Sequence, residues 1–442
     1  IMFSNLYLKS RFFLVTAILI ALFLFAYNFP FLFFFAKAAV FVFILAIIID
    51  LLLLFRTKKG IFATRSLPDK FSNGDQNPIF ISLENRYPFV TTLEIIDELP
   101  FQFQLRNVLF DEKLAIHQQK TIQYELRPVE RGEYHFGKLN IFCASPLGLL
   151  QKRYQFADEK IVAVYPSFIQ MRQYELLAIS NRLKEFGLKK IRRIGHSMEF
   201  EQIRNYNIGD DYRTLNWKAT ARRGELMVNQ FQDEKSQQIY SFIDKGRVMK
   251  MPFEEMSLLD YAINASLVIS NIAIKKGDKI GLLTFSKEIE QHLPAHKRGS
   301  QMKKLQELLY QQTTDFLESD YERLYAHVRR TITQRSLLLL FTNFETLSGL
   351  NRQIDYLRQL NKRHLLVVVF FENTELKQLL EQNATEATTI YQKTIAEKLA
   401  FEKRQIVKEL QRHGIQSILT APQNLTINTI NKYLELKARG FI

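Results

Sequence analysis

The chain is poor in the residues that carry covalent, metal and nucleotide chemistry. Its 442 residues include a single cysteine, Cys143, so no disulfide framework can form, and no cysteine or histidine spacing makes a zinc site. His292 and His296 are four apart, but Pro294 between them argues against a helical ligand pair. There is no Gly-x-x-x-x-Gly-Lys-Ser/Thr loop to cradle phosphates and no dinucleotide fingerprint opening a helix. Gly195-His196-Ser197-Met198-Glu199 resembles a nucleophile elbow only superficially: Glu199 stands where glycine is required, and a basic stretch precedes it instead of a buried strand. These absences point away from an enzyme and imply no cofactor.

What the chain has in excess is apolar residues near its start. Phe12 to Phe29 carries no formal charge, and Phe31 to Phe55 is interrupted only by Lys37 and Asp50. Spanning a bilayer takes about 20 helical residues, so the two runs read as a transmembrane hairpin. Lys37 would snorkel to the far interface, and Asp50 would lie near the near one. A cleaved signal peptide is the competing reading, with Ala36-Lys37-Ala38 as its cleavage site, but its apolar region would far exceed the usual ~7–15 residues. Lys9 and Arg11 precede the hairpin, and Arg56, Lys58 and Lys59 follow it, while its turn is uncharged. Cationic flanks stay inside, which places both ends, and the soluble body after them, on the cytoplasmic side of an inner (plasma) membrane. A lone cysteine agrees with a reducing compartment.

The net charge of +15 suits nucleic acid or the anionic inner leaflet equally well. The basic run Lys184, Lys189, Lys190, Arg192 and Arg193 lacks interleaved aromatics for base stacking, so a nucleic-acid partner is the weaker reading.

Four regions follow. Residues 1–59 are the hairpin. Residues 60–166 read as short strands between turns, the pattern of a β-sandwich. Residues 167–234 connect to residues 235–442, where apolar strands alternate with helices, as in a doubly wound α/β domain with a parallel sheet. A long charged helix is expected from about Glu375 to Arg412, with a polar break at Glu381 to Thr389.

The connecting segment is dense in polar residues and holds the only tryptophan. Asp210 or Asp211 can cap a helix starting near Tyr212. Glu199, Glu201, Asp210 and Asp211 can pair with Arg204, Arg213 and Arg222. Three readings follow: a structural ion-pair clasp, a partner-docking surface, or an enzyme site centred on Glu199 to Arg222. The runs Gly195-x-Ser197-x-Glu199-Phe200, Arg204-x-Tyr206-x-x-Gly209-Asp210-Asp211-x-Arg213 and Asn216-Trp217-Lys218-Ala219-Thr220-Ala221-Arg222 resemble the signature of a bacterial family, the domain of unknown function fifty-eight. Arg131-Gly132-Glu133-Tyr134 and Ser145-Pro146-Leu147-Gly148-Leu149 fit its pattern as well. The resemblance implies a membrane protein with a tail similar to von Willebrand factor A domains and a MoxR-type AAA+ ATPase as partner. It implies no reaction.

A tail of that kind raises the question of a divalent cation, held in such domains by an Asp-x-Ser-x-Ser loop, a threonine and a later aspartate. Here the loop reads Asp244-Lys245-Gly246-Arg247-Val248, and the later acid position is Asn343. Gly246 and Val248 offer no side-chain oxygen, and Lys245 and Arg247 add positive charge. Only Asp244 survives of the hard oxygen ligands that Mg²⁺ wants, so no metal is expected.

Overall fold

The structure is a computed structural model. It describes all residues except 1–4, 30, 58, 106–108, 157–158, 180–198, 208–209, 233–235, 315, 382–386 and 442. The basic run 184–193 and the Gly195-His196-Ser197 stretch lie outside the described residues. The chain divides into two compact units, Ile1–Tyr165 and Pro166–Ile442.

The first unit opens with a short strand, β1 (Leu6–Leu8), then α1 (Ser10–Asn28) and α2 (Leu32–Arg56). At 1.5 Å per residue the helices are about 28 and 37 Å long, close to the ~30 Å hydrocarbon thickness. Only 6% and 11% of their most apolar stretches are buried against protein, so both are long and apolar enough to cross a membrane and are bare for lipid. Lys37 lies in the second turn of α2 with its ammonium over the Phe33 ring.

The strands β2 (Ile61–Ser66), β3 (Lys70–Ser72), β4 (Asn77–Asn85), β5 (Thr91–Asp97), β6 (Leu109–Leu114), β7 (Gln119–Leu126), β8 (Gly132–Phe136), β9 (Leu139–Ala144), β10 (Leu150–Phe156) and β11 (Lys160–Tyr165) follow. They form sheets in the orders β1-β10-β9-β5-β6, β2-β4-β7 and β3-β11-β8. Alternation along β2 and β4 buries Ile61, Ala63, Ile81 and Leu83 against Leu93, Ile95, Ile141 and Cys143 of the five-stranded sheet, giving the two-layer core expected of alternating strands. The last turns of α2 pack into the same core through Leu51, Leu54 and Phe55.

Asp50, six residues before the end of α2, meets the β-layers there. It is fully buried, and its carboxylate accepts from the Ser145 hydroxyl and from the backbone N–H groups of Leu149 (3.0 Å) and Leu150 (2.8 Å). The end of α2 is fastened too: Lys152 Nζ donates to the carbonyls of Leu54 (3.1 Å) and Thr57 (3.0 Å), and Tyr87 Oη to that of Leu54 (2.7 Å). Orphan carbonyls at a helix C-terminus are thus satisfied from the β-layers, a cation favourably among them.

The second unit contains α3 (Phe168–Ile179), β12 (Glu199–Asn205), α4 (Trp217–Arg223), β13 (Met227–Gln232), β14 (Gln238–Asp244), β15 (Pro252–Phe253), β16 (Met256–Ser257), α5 (Leu258–Lys275), β17 (Lys279–Phe285) and β18 (Ile289–His296). Then come α6 (Ser300–Tyr310), α7 (Tyr321–Thr331), β19 (Leu337–Phe341), α8 (Leu347–Arg363), β20 (Leu365–Phe371), α9 (Thr374–Glu381), α10 (Ala387–Arg412), β21 (Gln416–Thr420) and α11 (Leu425–Ala438). The expected long charged helix is therefore two, α9 and α10, parted near the polar break. The main sheet has the order β18-β17-β14-β19-β20-β21, parallel except for β18 at its edge. Its strands are apolar on both sides because both faces are covered. Ile243, Leu339 and Val367 meet α5 and α11, while their neighbours Phe242, Leu340 and Val368 meet α7, α8 and α10. By composition α5 also qualifies as a membrane span, but 83% of it is buried inside this core.

Candidate functional site

The signature segment folds into a small hairpin-and-helix unit. β12 and β13 are antiparallel, with Arg204 opposite Val228 and Asn205 opposite Met227. Between them stand a turn of 3₁₀ helix at Tyr212–Thr214 and α4. Asp211 caps the first by accepting from Arg213 N (3.0 Å). The helical turn expected at Tyr212 with an aspartate cap is thus present as 3₁₀ helix, and a second, α-helical segment starts at Trp217 with Asn216 as its cap: its Oδ1 accepts from Ala219 N (2.9 Å). Asn216 Nδ2 also donates to Asn229 Oδ1 of β13 (2.7 Å), and Met227 N donates to Thr220 Oγ1 (3.0 Å), so α4 is pinned to the hairpin at two places. Gly224, at φ +76°, ends the helix in the left-handed conformation and donates to the Thr220 carbonyl.

Of the three arginines expected to pair with carboxylates, one does so among the described residues. Arg204 forms a two-pronged pair with Asp210 (2.8 and 2.7 Å), and Asn207 N also donates to that carboxylate. The Arg204 guanidinium holds the Asp210 carboxyl below its ordinary range, the direction of a group kept ionised. This pair closes the β12 end of the loop. Arg213 has its guanidinium 5.8 Å from the Tyr212 ring, and Arg222 and Lys218 are exposed on α4. Tyr206 continues the ladder through its N–H to the Leu226 carbonyl. Gly209 and the Glu199 side chain lie outside the described residues.

The outer face of this unit is aromatic and basic. Tyr212 is 70% and Trp217 69% exposed, with Leu226 and Ile203 also open to solvent. Lys218, Arg222 and Arg223 stand on the same short helix, all exposed. Large aromatics normally bury most of their surface, so two bare rings near cations on firmly capped elements stand out.

The Asp244 loop lies elsewhere, at the end of β14. Asp244 is buried and accepts from Gly246 N (2.8 Å), Thr342 Oγ1 (2.7 Å), Tyr321 Oη (3.2 Å) and the Ser319 hydroxyl. Burial pushes its carboxyl up, and these donors pull it back down. A Cβ added at Gly246 would collide with Ser319 Oγ, so Ser319 occupies the space where a serine at 246 would stand. Asn343 Oδ1 accepts from Lys403 Nζ (2.6 Å). The residues do not fit a divalent cation: both Asp244 oxygens are engaged by protein donors, the Asn343 oxygen faces an ammonium, and Val248 supplies nothing. Lys245 does not add charge to the loop, because it pairs with Glu290 of β18. Sequence reasoning missed Ser319 and Thr342, which arrive from segments 75 and 98 residues away.

Comparison with known proteins bears on the same stretch of chain. A curated relative, the uncharacterized protein YeaD of Bacillus subtilis (strain 168), is 30% identical over 223 residues, 49% of this chain and 53% of its own length. The chain thus spans about half the length of the curated relative it matches. Among solved structures, the conserved hypothetical protein BatB from Bacteroides thetaiotaomicron aligns with 46% of this chain and 99% of its own, at 11% identity and a TM-score of 0.32. The proximal thread matrix protein 1 of the mussel byssus aligns over 46% of this chain and 47% of its own, at 10% identity and a TM-score of 0.26. Neither likeness bears on function. The family described as Protein of unknown function DUF58 matches residues 202–406, from the signature hairpin to α10.

Proposed function

We propose that this protein is a membrane-anchored binding and assembly module, without catalysis of its own, that docks a protein partner on the aromatic and basic face of α4. The observation that carries this reading is the exposure of Trp217 and Tyr212 on an element fixed by two caps and an ion pair. Tryptophan, tyrosine and arginine supply most of the energy in protein interfaces, and an element that is already rigid loses little entropy on binding. The partner class is the MoxR-type AAA+ ATPase that the resemblance implies, and Lys218, Arg222 and Arg223 call for an acidic surface on it. The A-like reading of residues 235–442 is supported by the strand order of the main sheet and its antiparallel edge. Cationic residues on both flanks of the hairpin favour an inner-membrane location with the soluble body cytoplasmic.

The test uses the full chain in nanodiscs and the purified MoxR-type ATPase encoded in the same genome. Trp217→Ala and Arg222→Glu should each weaken binding, the tryptophan change by about 30-fold, the size of a ~2 kcal/mol hot spot. Melting temperatures should stay within about a degree, since neither side chain packs in a core. Binding that survives both substitutions would remove α4 from the interface.

A further inference from the structure

At the carboxyl ends of β19, β20 and β21 lies a cavity of about 630 Å³. That size falls among small-molecule sites, and crevices at this end of parallel sheets are where ligands usually enter. Its walls are mostly apolar, built from Phe253, Leu258, Phe371, Leu376 and Leu399. Into this lining α10 places Lys403. The lysine is part-buried, lies 5.6 Å from the centre of the Phe370 ring, and donates to Asn343 Oδ1 at 2.6 Å. An ammonium has three donors, and Lys403 makes no ion pair among the described residues. A cation withdrawn from water with one amide acceptor, and Glu345 near enough to act on it only through its charge, is incompletely compensated, and an anion in the cavity would complete its set.

We infer that this cavity binds a small amphiphilic monocarboxylate, its carboxylate paired with Lys403 and its apolar body against the aliphatic and aromatic walls. The other charged groups on the lining narrow the choice. Arg404 of α10 adds a second cation, whereas Glu345 after β19 and Glu372 after β20 are exposed carboxylates. Two nearby negative charges disfavour a phosphate dianion and leave room for one carboxylate. Burial lowers Lys403 to about 8, opposed by Glu345, so the side chain is largely charged at neutral pH and ready to be neutralised above it. Lys403 was visible in the sequence only as one charge on a solvated helix. It takes Asn343, 60 residues away, and the β20 strand to turn it inward.

The experiment is calorimetric titration of the full chain in phosphatidylcholine nanodiscs with octanoate and with octanol, against empty nanodiscs. Octanoate should bind at least tenfold more tightly than octanol at pH 7, and that preference should shrink by pH 9. Lys403→Met should abolish the preference while leaving octanol binding. Ala400→Trp, which fills the cavity from a partly exposed wall position, should weaken both ligands and serves if the lysine variant fails to fold. Equal binding of the two ligands to the unaltered chain, no binding of either, or a preference that survives Lys403→Met would overturn the assignment. Octanoate binding undiminished by Ala400→Trp would overturn it as well.

Discussion

At the scale of single residues, a half-buried pair of histidines and a buried carboxylate make opposite demands on their surroundings. His292 of β18 and His327 of α7 face each other edge to face, with His327 Nε2 3.2 Å from His292 Nδ1. Burial lowers both imidazoles, helped at His292 by His327 and at His327 by Arg330. Unfolded histidines take up protons near pH 6.5, and these two do so only at lower pH while folded. The unfolded chain therefore binds more protons in that window, and the stability the pair contributes above about pH 6.5 is lost as pH falls through it. Melting followed from pH 7.5 to 5 should decline less steeply in a His292→Gln/His327→Gln double variant than in the unaltered chain. Identical slopes would mean the pair stays protonated alike in both states. Asp244, by contrast, is held by four donors and asks for no cation. Unfolding in EDTA and in millimolar Mg²⁺ should give the same melting temperature, whereas a bound ion at a hundredfold excess over its dissociation constant would add about 2.7 kcal/mol. Asp244→Ala should instead cost about 2–4 kcal/mol, because it strands hydroxyls and an N–H in the interior. A rise in melting temperature with Mg²⁺ that Asp244→Ala abolishes would reverse this account.

At the scale of elements, what was legible in the sequence followed from periodicity, and what was not followed from distance along the chain. The strands β14, β17, β19 and β20 stand out as unbroken apolar runs because both their faces are covered. β18 escaped, since Pro294 and its alternating polar residues look like loop, and as an antiparallel edge strand it tolerates both. β12 and β13 escaped for a related reason: they form a two-stranded sheet rich in polar residues. Asp50 could be seen as an acid in an apolar helix, but not that the Ser145–Leu150 turn closes on it from about 100 residues downstream. That contact anchors α2 to the β-layers. Asp50→Ala should leave the N–H groups of Leu149 and Leu150 without acceptors, a loss of about 2–4 kcal/mol. Thermal unfolding of the full chain in nanodiscs would then shift down by several degrees, with Asp50→Asn intermediate because one acceptor oxygen remains. A melting temperature unmoved by Asp50→Ala would make the turn's hydrogen bonds dispensable.

At the scale of the first unit, the hairpin is an insertion between strands and not an appendage. β1 precedes α1 and pairs with β10, Lys9 N donates to the Leu149 carbonyl, and the Lys9 ammonium pairs with Glu94 at 2.9 Å. β2 follows α2 and pairs with β4. Both ends of the hairpin are therefore tied to the same strand layers, so two crossings of a bilayer must return the chain to the side it left. The proposed cytoplasmic direction rests on a separate argument, the cations Lys9, Arg11 and Arg56 that flank the hairpin. The two arguments are independent: one rests on hydrogen bonds within the unit, the other on membrane insertion. Single cysteines separate them. Cys143 is buried and should stay silent, so Asn28→Cys in the hairpin turn and Ser66→Cys on an exposed position of β2 can be read in the natural background. An impermeant maleimide applied to intact cells should label position 28 and spare position 66, and breaking the cells should expose both. Labelling of 66 but not 28 in intact cells would keep the hairpin and reverse its direction, against the charge argument. Labelling of both positions would mean that the helices lie on the surface without crossing, and the hairpin itself would fall.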